Sequence, residues 1–244
     1  MAKTVCLFCR PALGVVCIAI LVTTLMGLGV WQLQRRDWKL ALIERVETRI
    51  HAPPIAVPSL AGENPSEIAR LEYTPVTATG HFLNDRETLV EAVTVHGGGA
   101  WVMTPFVTDG GLTVLVNRGF VPFDHKSTET RTAGQRAGRV VVTGLLRLSE
   151  PKGGFLRSND PAADRWYSRD VTAIAAKRGL TDPVEPYFID ADATANPGGY
   201  PIGGLTVVSF PNNHLVYALT WFAMGFGLAG VTLWLFLKGR RRGG

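Results

Sequence analysis

The sequence predicts a membrane protein in which two transmembrane α-helices, one N-terminal and one C-terminal, flank a mainly antiparallel, β-rich extracytoplasmic domain. Residues 12–34 and 214–237 contain no Asp, Glu, Lys or Arg, and each run is long enough to cross a bilayer as a helix. Between them, several segments alternate apolar and polar residues and are separated by turn signals, which is typical of strands joined by hairpins. We therefore expect the domain to close as a barrel or a sandwich, with one or two short helices.

The first apolar run, residues 12–34, is predicted to be a retained membrane helix. It is longer than the apolar core of a secretory signal, and no small-residue cleavage site follows it. No amphipathic leader rich in Arg and Ser precedes it, so a bacterial inner membrane is expected rather than an organelle. Trp31 is a candidate interfacial anchor, and Arg35 and Arg36 would lie among the lipid headgroups.

The charges that follow the second run predict the orientation. Lys238 and the arginines at 240–242 indicate that residues 238–244 form a basic cytoplasmic tail. Two spans then place residues 1–11 in the cytoplasm and the domain of residues 35–213 in the periplasm. Arg35, Arg36 and Lys39 argue locally for the opposite orientation, which suggests that Arg35 and Arg36 have a task other than setting topology.

The net charge of +5 comes largely from basic residues at the ends of the apolar runs. This placement favours anionic lipid headgroups as the partner and argues against nucleic acid. Cys6, Cys9 and Cys17 lie in or beside the first run, so the large domain needs no disulfide and offers no thiolate metal site. The C-x-x-C spacing of Cys6 and Cys9 lacks a second pair, and we assign it no metal or redox role.

Within the domain, the elements follow from periodicity. Residues 37–50 have helical spacing and should continue the first helix past the membrane, whereas 52–58 are Pro-rich and extended. The predicted strands are residues 73–80, 87–95, 101–108, 112–121, 139–148 and 184–190. Asp109-Gly110 between two of them is the strongest hairpin signal. Residues 126–138 should form a mobile polar loop, and Asp170 and Gly179 should cap a short helix over 170–178.

The domain shows little catalytic equipment, and we expect a protein that is not an enzyme. The stretch from His96 to Gly99 superficially matches the oxyanion-hole segment of esterases. That chemistry also requires a G-x-S-x-G nucleophile motif, which is missing from the sequence, so a glycine-rich hairpin loop is the better interpretation. The other histidines of the domain, His51, His81 and His125, have no metal-ligand spacing.

Arg118 interrupts a strand that is otherwise strongly apolar. A buried guanidinium is costly unless its charge is paired, so Arg118 and the adjacent Asn117 are candidate structural or partner-binding residues. Two interpretations stay open. Arg118 could hold a carboxylate such as Asp190 across the sheet, or it could contact a partner or an anionic group.

His214 stands at the entrance of the second apolar run. Tyr217 and Trp221 follow at i+3 and i+7 and share its helix face. Trp31, Arg35 and Arg36 end the first run and should lie at the same membrane surface. A neutral imidazole with aromatic rings and guanidinium groups nearby could bind a haem, with the imidazole on the iron, the rings against the macrocycle and Arg35 and Arg36 on the propionates.

The same aromatic residues could also form an ordinary interfacial belt, with the His214 ring in water. Gly225 and Ala229 give the second helix a face of small residues. That face favours close packing against the first helix of this chain or against a helix of a partner.

Several blocks of the sequence resemble the Surfeit locus protein family. They occur in the family's order and run from the first helix to the second, so they cover nearly the whole chain. The blocks are Gly29-Val30-Trp31-Gln32-Leu33-Gln34-Arg35, Glu72-Tyr73, Val114-Leu115-Val116-Asn117-Arg118-Gly119-Phe120-Val121-Pro122, Pro186-Tyr187-Phe188-Ile189-Asp190 and Asn212-Asn213-His214-Leu215-Val216-Tyr217-Ala218-Leu219-Thr220-Trp221-Phe222. The Asn-Arg-Gly-aromatic-Val-Pro and Asn-Asn-His-Leu blocks are the most specific. Phe120 stands where Trp is common.

The resemblance implies an assembly factor for haem–copper terminal oxidases, chiefly the aa3-type cytochrome c oxidase. It implies transient binding of haem a through His214 and help with haem insertion into oxidase subunit I, with haem a synthase as a further partner. Asn117, Arg118, Asn212 and Asn213 are the candidates for partner or structural contacts. The alternative is a scaffold that carries no haem and stabilises an oxidase assembly intermediate.

Overall fold

The computed structural model describes residues 9–154, 156–208 and 210–242. The chain divides into two compact units: Met1–Arg45 together with Ser209–Gly244, and Val46–Val208. We call the first the helical unit and the second the β unit. Cys6 and most of the predicted cytoplasmic N-terminus lie outside the described residues.

The helical unit is built from the two predicted apolar helices. Helix α1 is Cys9–Ile50, so the segment 37–50 continues the membrane helix as predicted. Helix α4 is His214–Arg242 and begins at the predicted residue. Both are long and apolar enough to span a membrane. The 42 residues of α1 rise about 63 Å, roughly twice the thickness of a bilayer core.

Small residues let α1 and α4 pack closely. A Cβ added to Gly29 would lie 2.4 Å from Cε1 of Phe222, and one added to Gly225 would lie 3.1 Å from Sδ of Met26. Ala218 is completely buried. Of the two partners left open for the small face of the second helix, the structure shows this chain's own first helix against Gly225.

The β unit is a five-stranded barrel with additional strands at its sides. Neighbouring strands of the barrel pair in the order β2-β6-β9-β5-β4, and a β2–β4 pairing closes the ring. The strands are β1 (Ile55–Ala56), β2 (Pro75–Phe82), β3 (Thr88–Thr94), β4 (Gly97–Thr108), β5 (Thr113–Pro122), β6 (Val140–Leu148), β7 (Gly153–Gly154), β8 (Arg157–Ser158) and β9 (Val184–Ala191). Of the two predicted architectures, barrel and sandwich, the structure therefore shows the barrel.

The barrel is mainly antiparallel, and its one parallel pair is β5 with β9. Strand β1 pairs with β2, while β3 pairs with β4 and forms the edge of the sheet. Apolar side chains from the barrel strands form the largest buried cluster, which includes Phe106, Val116, Leu146 and Ile189. All six predicted strands and the Asp109-Gly110 hairpin are confirmed.

Two short α-helices accompany the barrel: α2 (Pro65–Arg70) and α3 (Val171–Lys177). The capping prediction for α3 is confirmed, because the Asp170 side chain accepts a hydrogen bond from the amide of Ala173 at 3.1 Å. Gly179 follows α3 with φ of 62°, the left-handed conformation that favours glycine at a helix end. Helix α2 and strands β1, β7 and β8 were not predicted, since each is too short to show periodicity.

The polar segment 126–138 differs from the expected mobile loop. It contains a 3-10 helix, Thr128–Gly134, and the buried side chain of Arg131. Arg131 forms an ion pair with Glu87, and its Nη1 donates to Oε2 of Glu87 at 3.0 Å. A polar sequence therefore holds an ordered conformation, because a buried ion pair links it to Glu87, the residue that precedes β3.

The close contact of β6 with β9 at Gly144 gives a test of the barrel. A Cβ at Gly144 would lie 2.1 Å from the carbonyl oxygen of Asp190, so the Gly144→Ala substitution must separate the strands. We expect a loss of about 1–3 kcal/mol in the free energy of unfolding, as for other overpacked sites. Urea unfolding of the purified protein, followed by tryptophan fluorescence, measures it. In the control Gly110→Ala the new Cβ makes only an ordinary van der Waals contact, 3.8 Å from Oγ1 of Thr108, and an equal loss in both variants would contradict the assignment.

Candidate functional site

The first residue of α4, His214, contacts a polar side chain of α1. Nδ1 of the imidazole lies 2.6 Å from Oε1 of Gln32. Because an amide oxygen only accepts, Nδ1 carries the proton of a neutral ring in this arrangement. Nε2 then keeps its lone pair, which is the form in which histidine binds a metal. The contact with Gln32 therefore fixes the orientation of the ring and, in a neutral imidazole, selects the tautomer protonated at Nδ1.

Gln32 was not predicted to be a residue of this site. The sequence feature that could have indicated its role is a carboxamide within an apolar run, one turn before the basic pair Arg35 and Arg36. A carboxamide at such a position is costly unless it is hydrogen-bonded, so a partner on the other helix could have been expected.

The three aromatic residues predicted to contact a haem are exposed or half-buried. Tyr217 and Trp31 are more than half exposed, at 55% and 53%, whereas His214 and Trp221 are half-buried. Among the described residues, His214 makes no hydrogen bond or ring contact with any of these three aromatic residues. The aromatic rings are therefore accessible, and the structure does not show them packed against the imidazole.

The basic residues near the end of the apolar part of α1 interact with their neighbours. The guanidinium of Arg35 stacks over the ring of Trp38 at 4.1 Å, and Arg35 is exposed. Nη1 of Arg36 lies 3.6 Å from the carboxylate of Asp37, which is itself largely exposed. Neither contact buries the charge, so both guanidinium groups remain available to an anionic group.

The two asparagines before His214 differ in role. The carbonyl oxygen of Asn213 accepts a hydrogen bond from the amide of Tyr217 at 3.2 Å, so Asn213 serves the start of α4. The side-chain oxygen of Asn212 is buried and accepts no hydrogen bond from the described residues. A buried acceptor without a donor is unusual, which marks Asn212 as a position where a donor from a ligand or partner would be stabilising.

The residues around His214 fit a haem better than a bare metal ion. Nowhere in the described part of the chain do three His, Cys, Asp or Glu side chains come together. A metal held by one imidazole must take its remaining ligands from elsewhere, and a porphyrin supplies four nitrogens. Exposed aromatic surface and free guanidinium groups at the same end of the helices suit the rest of such a molecule.

In the β unit, Asn117 forms part of a buried polar network centred on Asp190. Nδ2 of Asn117 donates to Asp190 at 2.8 Å, since the two residues are register partners in β5 and β9. Arg147 and Arg169 lie 3.2 and 3.0 Å from the same carboxylate. The hydroxyl of Thr206 donates to it at 3.0 Å. Asn117 is therefore a structural residue of the barrel.

Charges in this network compensate one another. Burial acts to lower the pKa of Arg169, but the hydrogen bonds and charges of Glu150 and Asp190 outweigh it and raise that pKa. Burial also acts to raise the pKa of Glu150, yet Arg169 holds it below its usual range. Both groups are thus charged at neutral pH and paired.

Arg118 lies on the opposite face of β5, so the interpretation in which it holds Asp190, one of the two left open, is wrong. Successive side chains on a strand point to opposite faces, so Asn117 and Arg118 cannot both reach Asp190. Arg118 donates instead to the carbonyl oxygen of Gly134 and, at 3.4 Å, to the side chain of Asn84. The adjacent Gly119 has φ of 132°, which explains the glycine of the motif.

The fold and the site define a class of protein: a β-barrel protein with two candidate membrane-spanning helices and an oriented histidine at the start of the second. The sequence model of the SURF1 family matches residues 19–226. The chain is 42% identical to Surfeit locus protein 1 of Rattus norvegicus over 231 residues, covering 88% of this chain and 72% of that protein. For Surfeit locus protein 1 of Homo sapiens the identity is 41% over 237 residues, with 90% and 75% covered. The chain belongs to the SURF1 family.

The Asp190 network predicts that a substitution of similar size at Asp190 strongly lowers the free energy of unfolding. Asp190→Asn keeps the shape but removes the charge, and so leaves Arg147 and Arg169 buried against fewer carboxylates. We expect a loss of about 3 kcal/mol or more in the free energy of unfolding. Urea unfolding followed by tryptophan fluorescence, to which the buried Trp166 contributes, measures the loss. The control Asp160→Asn breaks an exposed pair with Arg165 and should leave stability unchanged; matching losses would refute a special role for Asp190.

Proposed function

We propose that this protein is an assembly factor for a haem–copper terminal oxidase of the aa3 type. It binds haem a transiently through His214 and passes it to oxidase subunit I. The single observation that carries the proposal is the hydrogen bond between Nδ1 of His214 and Gln32, which leaves Nε2 free to bind iron. Membership of the SURF1 family supports the assembly role.

The chain's own residues would act in three ways. Gln32 holds the His214 ring in one tautomer, so that no reorientation is needed when iron arrives. Trp31, Tyr217 and Trp221 offer flat apolar surface to a macrocycle. The guanidinium groups of Arg35 and Arg36 bind the propionates. A bound haem would contribute the iron that accepts the Nε2 lone pair.

We place the protein in the bacterial inner membrane, with the β unit in the periplasm. The support is the basic segment at the end of α4, which favours the cytoplasm. In this orientation His214 lies at the outer surface of the membrane. The proposed partners are subunit I, haem a synthase and the surrounding lipid, and the protein itself carries out no reaction.

A second candidate function is a scaffold that holds an oxidase assembly intermediate without a haem of its own. An exposed apolar patch in the β unit favours it. Val93 in the edge strand β3 and the following Val95 are each 88% exposed, and the nearby Phe123 is 65% exposed. Edge strands with exposed apolar side chains are common sites of protein association. In that case His214 would be a residue of the interfacial belt.

The haem assignment predicts a simple spectroscopic result. The wild-type protein, purified in detergent from cells that make haem a, should carry haem a with the visible spectrum of a histidine-ligated iron. His214→Ala removes the only proposed protein ligand, so its haem content should fall at least tenfold relative to the wild type. The measurement is the reduced-minus-oxidised visible spectrum, normalised to protein.

The control substitutes His51, which is exposed and hydrogen-bonded within its own helix. His51→Ala should keep its haem. Full haem content in His214→Ala would show that the ligand assignment is wrong. A protein without haem that still co-purifies with subunit I would favour the scaffold.

The contact between Gln32 and His214 predicts that loss of Gln32 weakens haem a binding without abolishing it. Gln32→Leu keeps the volume of the side chain but releases Nδ1 of His214, so the affinity for haem a should fall about 10–100-fold while the protein folds normally. Haem titration of the purified protein measures the affinity. In the haem-free protein, ¹⁵N chemical shifts of the His214 ring should report protonated Nδ1 in the wild type and mixed tautomers in the variant.

Gln34→Leu is the matched control, because Gln34 lies in the same helix and is exposed. It should retain wild-type affinity and the wild-type tautomer. Identical ring shifts in wild type and Gln32→Leu would exclude the positioning role of Gln32.

A further inference from the structure

Arg118 is a buried cation with no carboxylate partner among the described residues. It is 2% exposed, and its guanidinium donates only to the neutral acceptors Gly134 and Asn84. The ring of Phe82 lies 4.6 Å from the guanidinium carbon. Buried arginines are normally paired with an acid, because an uncompensated charge away from water is strongly destabilising.

The surroundings of Arg118 add positive charge. Arg131 and Arg136 both act electrostatically on Arg118, and the acid that acts in the opposite sense is Glu87. Glu87 is occupied: Arg131 forms an ion pair with it, and Gln135 donates to it at 3.3 Å. Arg136 forms no ion pair with any described residue. Burial, only partly offset by Glu87, lowers the pKa of Arg118 to about 10, which still leaves it charged at neutral pH.

A small pocket opens beside these two arginines. Its volume is about 60 Å³, and both Arg118 and Arg136 line it. Thr143, Thr194 and Asn196 add polar groups to its wall. Asp192 also lines it, but its side-chain oxygen accepts from the amide of Thr194 at 2.9 Å, and it pairs with neither arginine. The volume suits one carboxylate or phosphate group rather than a larger molecule.

The larger pocket beside Asp190, of about 220 Å³, contains no comparable uncompensated positive charge. Its arginines, Arg147 and Arg169, already face Asp190 and further carboxylates. The positive charge that lacks a partner is therefore concentrated at the pocket of Arg118 and Arg136.

We propose that this pocket is a binding site for one oxyanion group, a phosphate or a carboxylate, held by the guanidinium groups of Arg118 and Arg136. The anion supplies the negative charge that no carboxylate of the described residues provides to Arg118 and Arg136 in an ion pair. Since Arg118 also donates to Gly134 at the end of the 3-10 helix, a bound anion fastens the segment 128–138 to the barrel. Charge-assisted hydrogen bonds from two guanidinium groups are a strong form of oxyanion recognition.

The test uses the full chain in a nonionic detergent and inorganic phosphate as the probe. Isothermal titration at constant ionic strength, balanced with chloride, should show saturable binding of one phosphate per chain. Arg136→Gln should weaken binding at least about tenfold, because it removes one of two charged donors. Arg118→Lys keeps a charge but loses the planar fork and should weaken binding as well. Circular dichroism checks that each variant is folded.

Arg139→Gln is the matched control, since Arg139 is nearby and exposed and is paired with Asp109. It should bind phosphate like the wild type. The proposal is overturned by a lack of saturable binding, by wild-type affinity in Arg136→Gln, or by equal losses in Arg136→Gln and Arg139→Gln. If Arg118→Lys does not fold, Arg136→Gln decides.

Competition distinguishes the two anion classes. Displacement of phosphate by acetate assigns the site to carboxylates as well, whereas binding of phosphate alone assigns it to phosphate groups. Hydrogen exchange gives an independent readout. Phosphate should slow the exchange of backbone amides in residues 128–138 of the wild type and leave Arg136→Gln unchanged; equal exchange with and without phosphate in the wild type would count against the site.

Discussion

The barrel depends on one buried carboxylate. Asp190 receives hydrogen bonds from Asn117 on β5, from Arg147 on β6 and from Arg169 ahead of α3. Thr206, in the segment after β9, adds a fourth donor. Strands β5 and β6 flank β9 on its two sides, so this single side chain joins three neighbouring strands of the ring. Removing its charge would leave two largely buried guanidinium groups, Arg147 and Arg169, with only Glu72 and Glu150 to compensate them.

The alternation of side chains along β5 gives the motif Asn117-Arg118-Gly119 two separate tasks. Asn117 faces the Asp190 network, and Arg118 faces the opposite side, where no acid meets it. The positive φ of Gly119 brings the chain close to Ile202, whose carbonyl oxygen accepts from the amide of Phe120 at 2.8 Å. A single three-residue motif thus stabilises the barrel and also presents a cation that the barrel itself leaves uncompensated.

Much of the fold was predictable because its elements are long and regular. The apolar runs predicted α1 and α4, and the alternation of period two predicted six strands, since each strand is long enough to show that period. The sequence left barrel and sandwich open, because the choice depends on the pairing of β2 with β4, which are not consecutive strands. The order of segment 126–138 was missed for a similar reason: the ion pair of Arg131 with Glu87 joins residues 44 positions apart.

The candidate site also depends on a contact between residues far apart in the sequence. The sequence showed that His214 was unusual, yet it could not show which group would orient the ring, because Gln32 lies 182 positions away and comes close only through helix packing. That packing is tightest at Gly29, where a Cβ would overlap the ring of Phe222, and is close at Gly225, where a Cβ would lie 3.1 Å from Sδ of Met26. Hence the tautomer of His214 depends on residues that never touch it. A substitution that separates the two helices would free the imidazole even though both His214 and Gln32 were retained.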